Sequence, residues 1–253
     1  MMERSLADRA GNVAAYLLMI VVNVLSNTLP INDQSMPEIS AKYPSLFTPA
    51  GFTFSIWGVI YLALLLFVVW QALPAQRLDR RLARIGTLFK ISCLANATWI
   101  VVWHYDLLIV SMLVMLVILV TLVRIYAILI RDIDEASFLE HLLLYLPFSI
   151  YTGWIVVATI ANASVLQTAW GWDNAGIAAV QWTLLKLALA GSIGATMILK
   201  LRDIPFALVV AWAAFGISAM QSETPAVSGA ATTLSLLMLF LIVRDSALRL
   251  FRL

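Results

Sequence analysis

The sequence predicts an all-α, polytopic membrane helix bundle with eight spans and both termini on the cytoplasmic side. Three observations carry that prediction. Of the 253 residues, 62% are apolar and 12% charged, against about 45–50% and about 25% in soluble domains. The apolar residues fall into eight runs, each near the roughly 20 residues a helix needs to cross a hydrocarbon core of about 30 Å. Lysine and arginine alternate between rich and poor from one loop to the next, as the positive-inside rule requires. The mean hydropathy of +0.95 agrees. Disorder, a collagen-like fibre and a nucleic-acid-binding module are excluded, since each needs charge or glycine that is missing. One cysteine, Cys93, permits no internal disulfide and by itself no cysteine-based metal site.

The first run, 12–30, follows Arg4 and Arg9 and carries Asn12, Tyr16, Asn23 and Asn27 at helical spacing. That polar stripe suggests a retained, packed helix. Residues 25–30 offer no small-x-small cleavage site, which argues against a signal peptide. The 31–50 loop carries only Lys42, whereas the 74–85 loop after the second run, 51–73, carries Arg77, Arg80, Arg81 and Arg84. The third and fourth runs, 86–103 and 106–130, are parted only by His104 and Tyr105. They read as two spans, because about 45 residues of continuous helix would be about 67 Å long. Arg131 follows the fourth run. The fifth, 139–165, contains Pro147; the other seven prolines lie between runs or at their ends, where helices tolerate them. The 166–174 loop is free of lysine and arginine, and Lys200 and Arg202 follow the sixth run, 175–199. The 222–225 turn between the seventh run, 204–221, and the eighth, 226–247, again has neither, while Arg244, Arg249 and Arg252 mark the tail.

All fourteen acidic residues fall in loops, tails or outermost helical turns. This disfavours a proton-driven transporter, which needs a titratable relay within the membrane. Lys186 lies about eleven residues into the sixth span, roughly 17 Å along its axis and near the midplane. It reads either as a ligand-facing group or as a snorkelling lysine held by carbonyls and Gln181. No carboxylate counter-ion is available for a retinal Schiff base. His104 and His141 fall at opposite membrane faces, so they cannot share a metal, and each reads as a solvated surface histidine. No nucleophile–base pair, metal cluster or phosphate-binding glycine loop is present. Neither an enzyme nor a cofactor is therefore expected.

Trp70, Trp103, Trp170 and Trp172 fall near span ends and read as interfacial belt residues. Trp57, Trp99 and Trp154 lie within spans. Ser92, Asn96, Trp99 and Trp103 form one helical stripe, and Tyr151, Trp154, Ala158 and Asn162 another. Such stripes serve either helix packing or a flat, mostly apolar ligand cleft with a few hydrogen-bonding groups.

At these residues the chain resembles the translocator protein, or tryptophan-rich sensory protein, family over about residues 12–167. Residues 43–49, Tyr-Pro-Ser-Leu-Phe-Thr-Pro, are similar to the family's Lys-Pro-Ser-Trp-x-Pro-Pro loop, without its lysine, tryptophan and first paired proline. Residues 54–61, Phe-Ser-Ile-Trp-Gly-Val-Ile-Tyr, resemble its Trp-x-x-Leu-Tyr signature, and residues 94–99, Leu-Ala-Asn-Ala-Thr-Trp, its Leu-Asn-x-x-Trp element. Tyr151, Trp154, Ala158, Thr159 and Asn162 match its Pro-Tyr-x-x-Trp-x-x-x-Ala-Thr-x-x-Asn pattern, with Ile150 in place of the proline. A further family tryptophan, near the start of the fourth span, has no counterpart in Asp106-Leu107-Leu108.

The resemblance implies a five-helix core (1–167) whose pocket binds porphyrins, other tetrapyrroles, sterols or similar flat ligands, under the loop joining the first two helices. The expected ligand-binding residues are Trp57, Asn96, Trp99, Tyr151, Trp154, Ala158 and Asn162, with Lys186 added from its own position. The indoles of helices two, three and five are expected to converge on one hollow. Residues 168–253 form a three-helix extension outside the resemblance, rich in small residues, in which Gly191 and Gly194 permit close helix approach. It either covers a surface used for dimer contacts or supplies a separate conduit. The expected partners are the lipid bilayer and a small apolar or tetrapyrrole ligand, with a homodimer open and nucleic acid excluded. The expected setting is a bacterial inner (plasma) membrane. The function read from these residues is a tetrapyrrole sensor or carrier, the alternative being a secondary transporter with Lys186 at a midplane site.

Overall fold

The computed structural model describes residues 4–29, 32, 34, 38–39, 42–172 and 174–250. Pro30, Pro37, Arg252 and the side chains of Asn27 and Arg249 lie outside the described residues. Among those described, the chain forms eight main helices and no strand. They are α1 (Leu6–Thr28), α2 (Ile56–Ala72), α3 (Arg80–His104), α4 (Leu108–Leu129), α5 (Leu146–Ala169), α6 (Ala179–Leu201), α7 (Ile204–Met220) and α8 (Pro225–Leu250). Among the described residues seven helical segments are long and apolar enough to cross a membrane. Helix α7 is apolar too, but its 17 residues span only ~26 Å.

Local chemistry sets the helix ends. Ser5 caps α1 by accepting from the Asp8 amide, and Asp79 caps α3 by accepting from the amides of Arg81 and Leu82. Between α3 and α4, Asp106 takes a left-handed backbone (φ 55°). Its amide donates to the Trp103 carbonyl and that of Leu107 to the Val102 carbonyl. This is a Schellman closure, which ends one helix and reverses the chain within three residues. The expected pair of spans is therefore two helices. Pro147 sits at the second position of α5, directly after a π-turn at His141–Tyr145 in which the Leu146 amide reaches the His141 carbonyl. The wider turn accommodates the carbonyl that a proline would otherwise crowd.

The chain divides into two compact units, Met1–Ser40 with Trp57–Thr152, and Ala41–Ile56 with Gly153–Leu253. In the first, α1 packs on α3 and α3 on α4. Its core holds Phe67 of α2, Phe89 of α3 and Phe148 before Tyr151 on α5, all fully buried. Their rings meet edge to face at 4.9–6.0 Å, the geometry favoured by aromatic quadrupoles. Two polar clusters close this unit. Arg4 donates to Asp8 (3.0 Å) and to Gln71 Oε1 (2.6 Å), while Lys90 donates to the other Asp8 oxygen (2.7 Å). Elsewhere Arg81 joins Asp79, Glu140 and the Tyr145 hydroxyl. Lys90 falls within a predicted span, and an ion pair with Asp8 answers its charge.

In the second unit α6, α7 and α8 pack on one another, and small residues set how closely. A Cβ on Gly191 would lie 2.7 Å from Leu234 Cδ1; one on Gly194 would lie 2.9 Å from Met238 Sδ and 3.2 Å from Val210 Cγ2. The close approach expected at these two glycines is therefore present. Asp203 caps α7 through the Phe206 amide (3.0 Å), and Ser235 donates to the Ala211 carbonyl (3.0 Å).

Candidate functional site

Four of the expected ligand-binding residues, Trp57, Asn96, Trp99 and Tyr151, lie in the first unit. A hydrogen-bonded ladder joins three of its helices to Tyr151. The Tyr61 hydroxyl donates to Asn23 Oδ1 (2.6 Å), Asn23 Nδ2 to Asn96 Oδ1 (2.8 Å), and Asn96 Nδ2 to the Tyr151 hydroxyl (3.0 Å). Tyr16 adds a bond from its hydroxyl to the Tyr61 carbonyl (2.9 Å). Asn23, Asn96 and Tyr151 are buried, where an unmade hydrogen bond would be costly. Each rung therefore fixes the next.

The aromatic rings sit along this ladder. Trp57 stacks on Tyr61 (5.4 Å, 24°) and meets Tyr151 edge-on (6.0 Å, 67°). Trp57 stays half-buried, as does Trp99, so each keeps part of its ring open to contact. Trp99 stacks on Trp103 (5.3 Å, 23°). The structure thus brings together Trp57, Asn96 and Tyr151, and pairs Trp99 with its own helical neighbour. Sequence reasoning missed Asn23 and Tyr61. Both left a signal, Asn23 on the polar stripe of α1 and Tyr61 one helical turn beyond Trp57.

The other four, Trp154, Ala158, Asn162 and Lys186, lie in the second unit. Trp154 is buried, and the Phe54 ring meets it edge-on (5.9 Å, 88°). Ala158 is half-buried and Asn162 buried, one and two turns further along α5. Lys186 stands seven residues into α6, because that helix starts at Ala179 rather than 175. That is ~10 Å along the axis, four residues before the centre of the helix. Its Nζ donates to Gln167 Oε1 (2.7 Å), two residues before the end of α5. Gln181, the partner expected from spacing, is exposed.

Three other expectations change. Trp70 and Trp103 are buried, whereas Trp170 and Trp172 are exposed as belt residues should be. His104 is fully buried rather than solvated. It folds back along α3 so that Nδ1 meets the Ile100 carbonyl (2.8 Å). A carbonyl can only accept, so Nδ1 carries the proton. His141 is exposed, as expected. Among the described residues no three His, Cys, Asp or Glu side chains gather as a metal site.

The family model for TSPO-like proteins matches residues 9–244. The match runs through all three C-terminal helices, well beyond the 12–167 covered by the tryptophan and asparagine motifs. Those helices carry small-residue spacing instead of aromatic signatures, so motif reading had nothing there to hold. No curated protein and no solved structure matches the chain. With nearly its whole length covered, this helical membrane chain belongs to the TSPO-like protein family.

Proposed function

We propose that the protein binds a flat, mostly apolar ligand of the tetrapyrrole class within the membrane, as a sensor or carrier rather than an enzyme. The observation that carries this reading is Trp57, a half-buried indole held by two tyrosines that are themselves tied into the Tyr61–Asn23–Asn96–Tyr151 ladder. A ring so held presents a fixed face, and little freedom remains to be lost on binding. Stacking and area burial supply affinity, and the few polar groups orient the ligand.

The ligand-contacting residues in this proposal are Trp57, Asn96, Trp99, Tyr151, Trp154, Ala158 and Asn162. Lys186 keeps two N–H bonds beyond the one to Gln167, which suits it to a ligand carboxylate. The five-helix segment 1–167 carries most of these residues, and the positive-inside pattern places both termini in the cytoplasm. The test is titration of the purified protein with protoporphyrin, read by quenching of tryptophan fluorescence. Trp57→Ala and Trp154→Ala should each weaken binding about tenfold or more, as loss of a buried aromatic contact implies. Wild-type affinity in both variants would refute the reading.

A further inference from the structure

The 3-10 turn Gly51–Ser55, just before α2, is seated on α7. The Ala50 amide donates to the Gly216 carbonyl of α7 (3.0 Å), and Trp212 Nε1 donates to the Thr53 carbonyl (2.9 Å). Phe52 packs on Trp212 (5.5 Å, 75°) and Phe215 (5.8 Å, 56°). Thr53 is fully buried. A Cβ on Gly216 would lie 1.9 Å from its Oγ1 and 2.9 Å from both its Cβ and Cγ2. Only glycine permits that approach, because the atoms in the way include the Cβ itself, which cannot rotate aside. The next residue, Phe54, lays its ring edge-on against Trp154.

We propose that Trp212 and Gly216 of α7 are positioning residues for the ligand-contacting indole of Trp154: they seat the Gly51–Ser55 turn, and the turn sets Phe54 against that ring. Neither residue touches the ligand in this scheme. The proposal rests on the reading of Trp154 as a ligand contact. It gives α7 a task at Trp154.

The test labels the detergent-solubilised full chain with 5-fluorotryptophan and identifies the Trp154 fluorine resonance as the one lost in Trp154→Phe. Gly216→Val should displace that resonance without ligand and weaken protoporphyrin binding about three- to tenfold, the scale of one aromatic edge contact. Thr53→Gly in the same chain removes the three atoms nearest that Cβ and should restore both readouts. Should Gly216→Val fail to fold, Trp212→Phe removes the bond to the Thr53 carbonyl and should shift the same resonance. A folded Gly216→Val or Trp212→Phe with the Trp154 resonance unmoved overturns the proposal, whatever its affinity. A displaced and rescued resonance with unchanged affinity upholds the positioning, and overturns instead the assignment of Trp154 to the ligand.

Discussion

Replacing Asn96 by leucine separates a structural amide from a ligand-binding one. The side chain keeps its approximate size but loses its bonds to Asn23 and Tyr151. Interhelical hydrogen bonds within membranes average about 0.6 kcal/mol, so the two bonds together contribute roughly 1 kcal/mol. Stranding the buried Tyr151 hydroxyl adds about 1–3 kcal/mol, for a total loss of roughly 2–4 kcal/mol. Adding Tyr151→Phe removes the stranded hydroxyl, so the double variant should recover most of that second contribution. The assay is reversible unfolding in mixed micelles, with wild type, both single variants and the double completing a cycle. A double variant no more stable than Asn96→Leu would refute the ladder as the reason for Asn96. If the double recovers stability yet binds protoporphyrin as weakly as Asn96→Leu, while Tyr151→Phe alone binds as wild type, the amide serves the ligand as well.

Phe89→Ala removes the ring between Phe67 and Phe148 and should cost about 3–5 kcal/mol in the same assay; a loss under about 1 kcal/mol would show that the aromatic core is not packed as described. Gly194→Val drives its side chain into Val210 and Met238 and should destabilise by about 1–3 kcal/mol. Val210→Ala should return part of that, and a loss unchanged by the second substitution would count against this helix contact. Lys186→Met should lower affinity for protoporphyrin while leaving that for its dimethyl ester unchanged, since only the free acid offers a carboxylate to the amine. Equal effects on both ligands would remove Lys186 from the site.

Particular residues show why some of the fold was legible and some was not. The helix order follows from apolar run length, since a bilayer-spanning helix must satisfy its own backbone and shield it with apolar side chains. The break expected at His104 and Tyr105 falls at 105–107, and it was legible because two full spans could not be one helix. The burial of Trp103 and His104 was not legible, because a position near a span end does not say whether a neighbouring helix covers it. The start of the sixth helix was not legible for a related reason: apolar residues before Ala179 read as part of the span, although the helix begins at Ala179. The motifs and the polar stripe contained Tyr61 and Asn23, but not that the two bond to each other, because those bonds run between helices.

By itself, then, the sequence determined an all-helical membrane chain, its topological pattern and the aromatic–amide residues that mark its family, because these depend on composition and on spacing along one helix. The tertiary structure alone decided which amides bond to which tyrosines, that Gly194 meets both Val210 and Met238, and that Gly216 gives Thr53 its seat. Those are contacts between segments up to about 160 residues apart. They depend on interatomic distances of a few ångströms, which no periodicity along a single helix encodes.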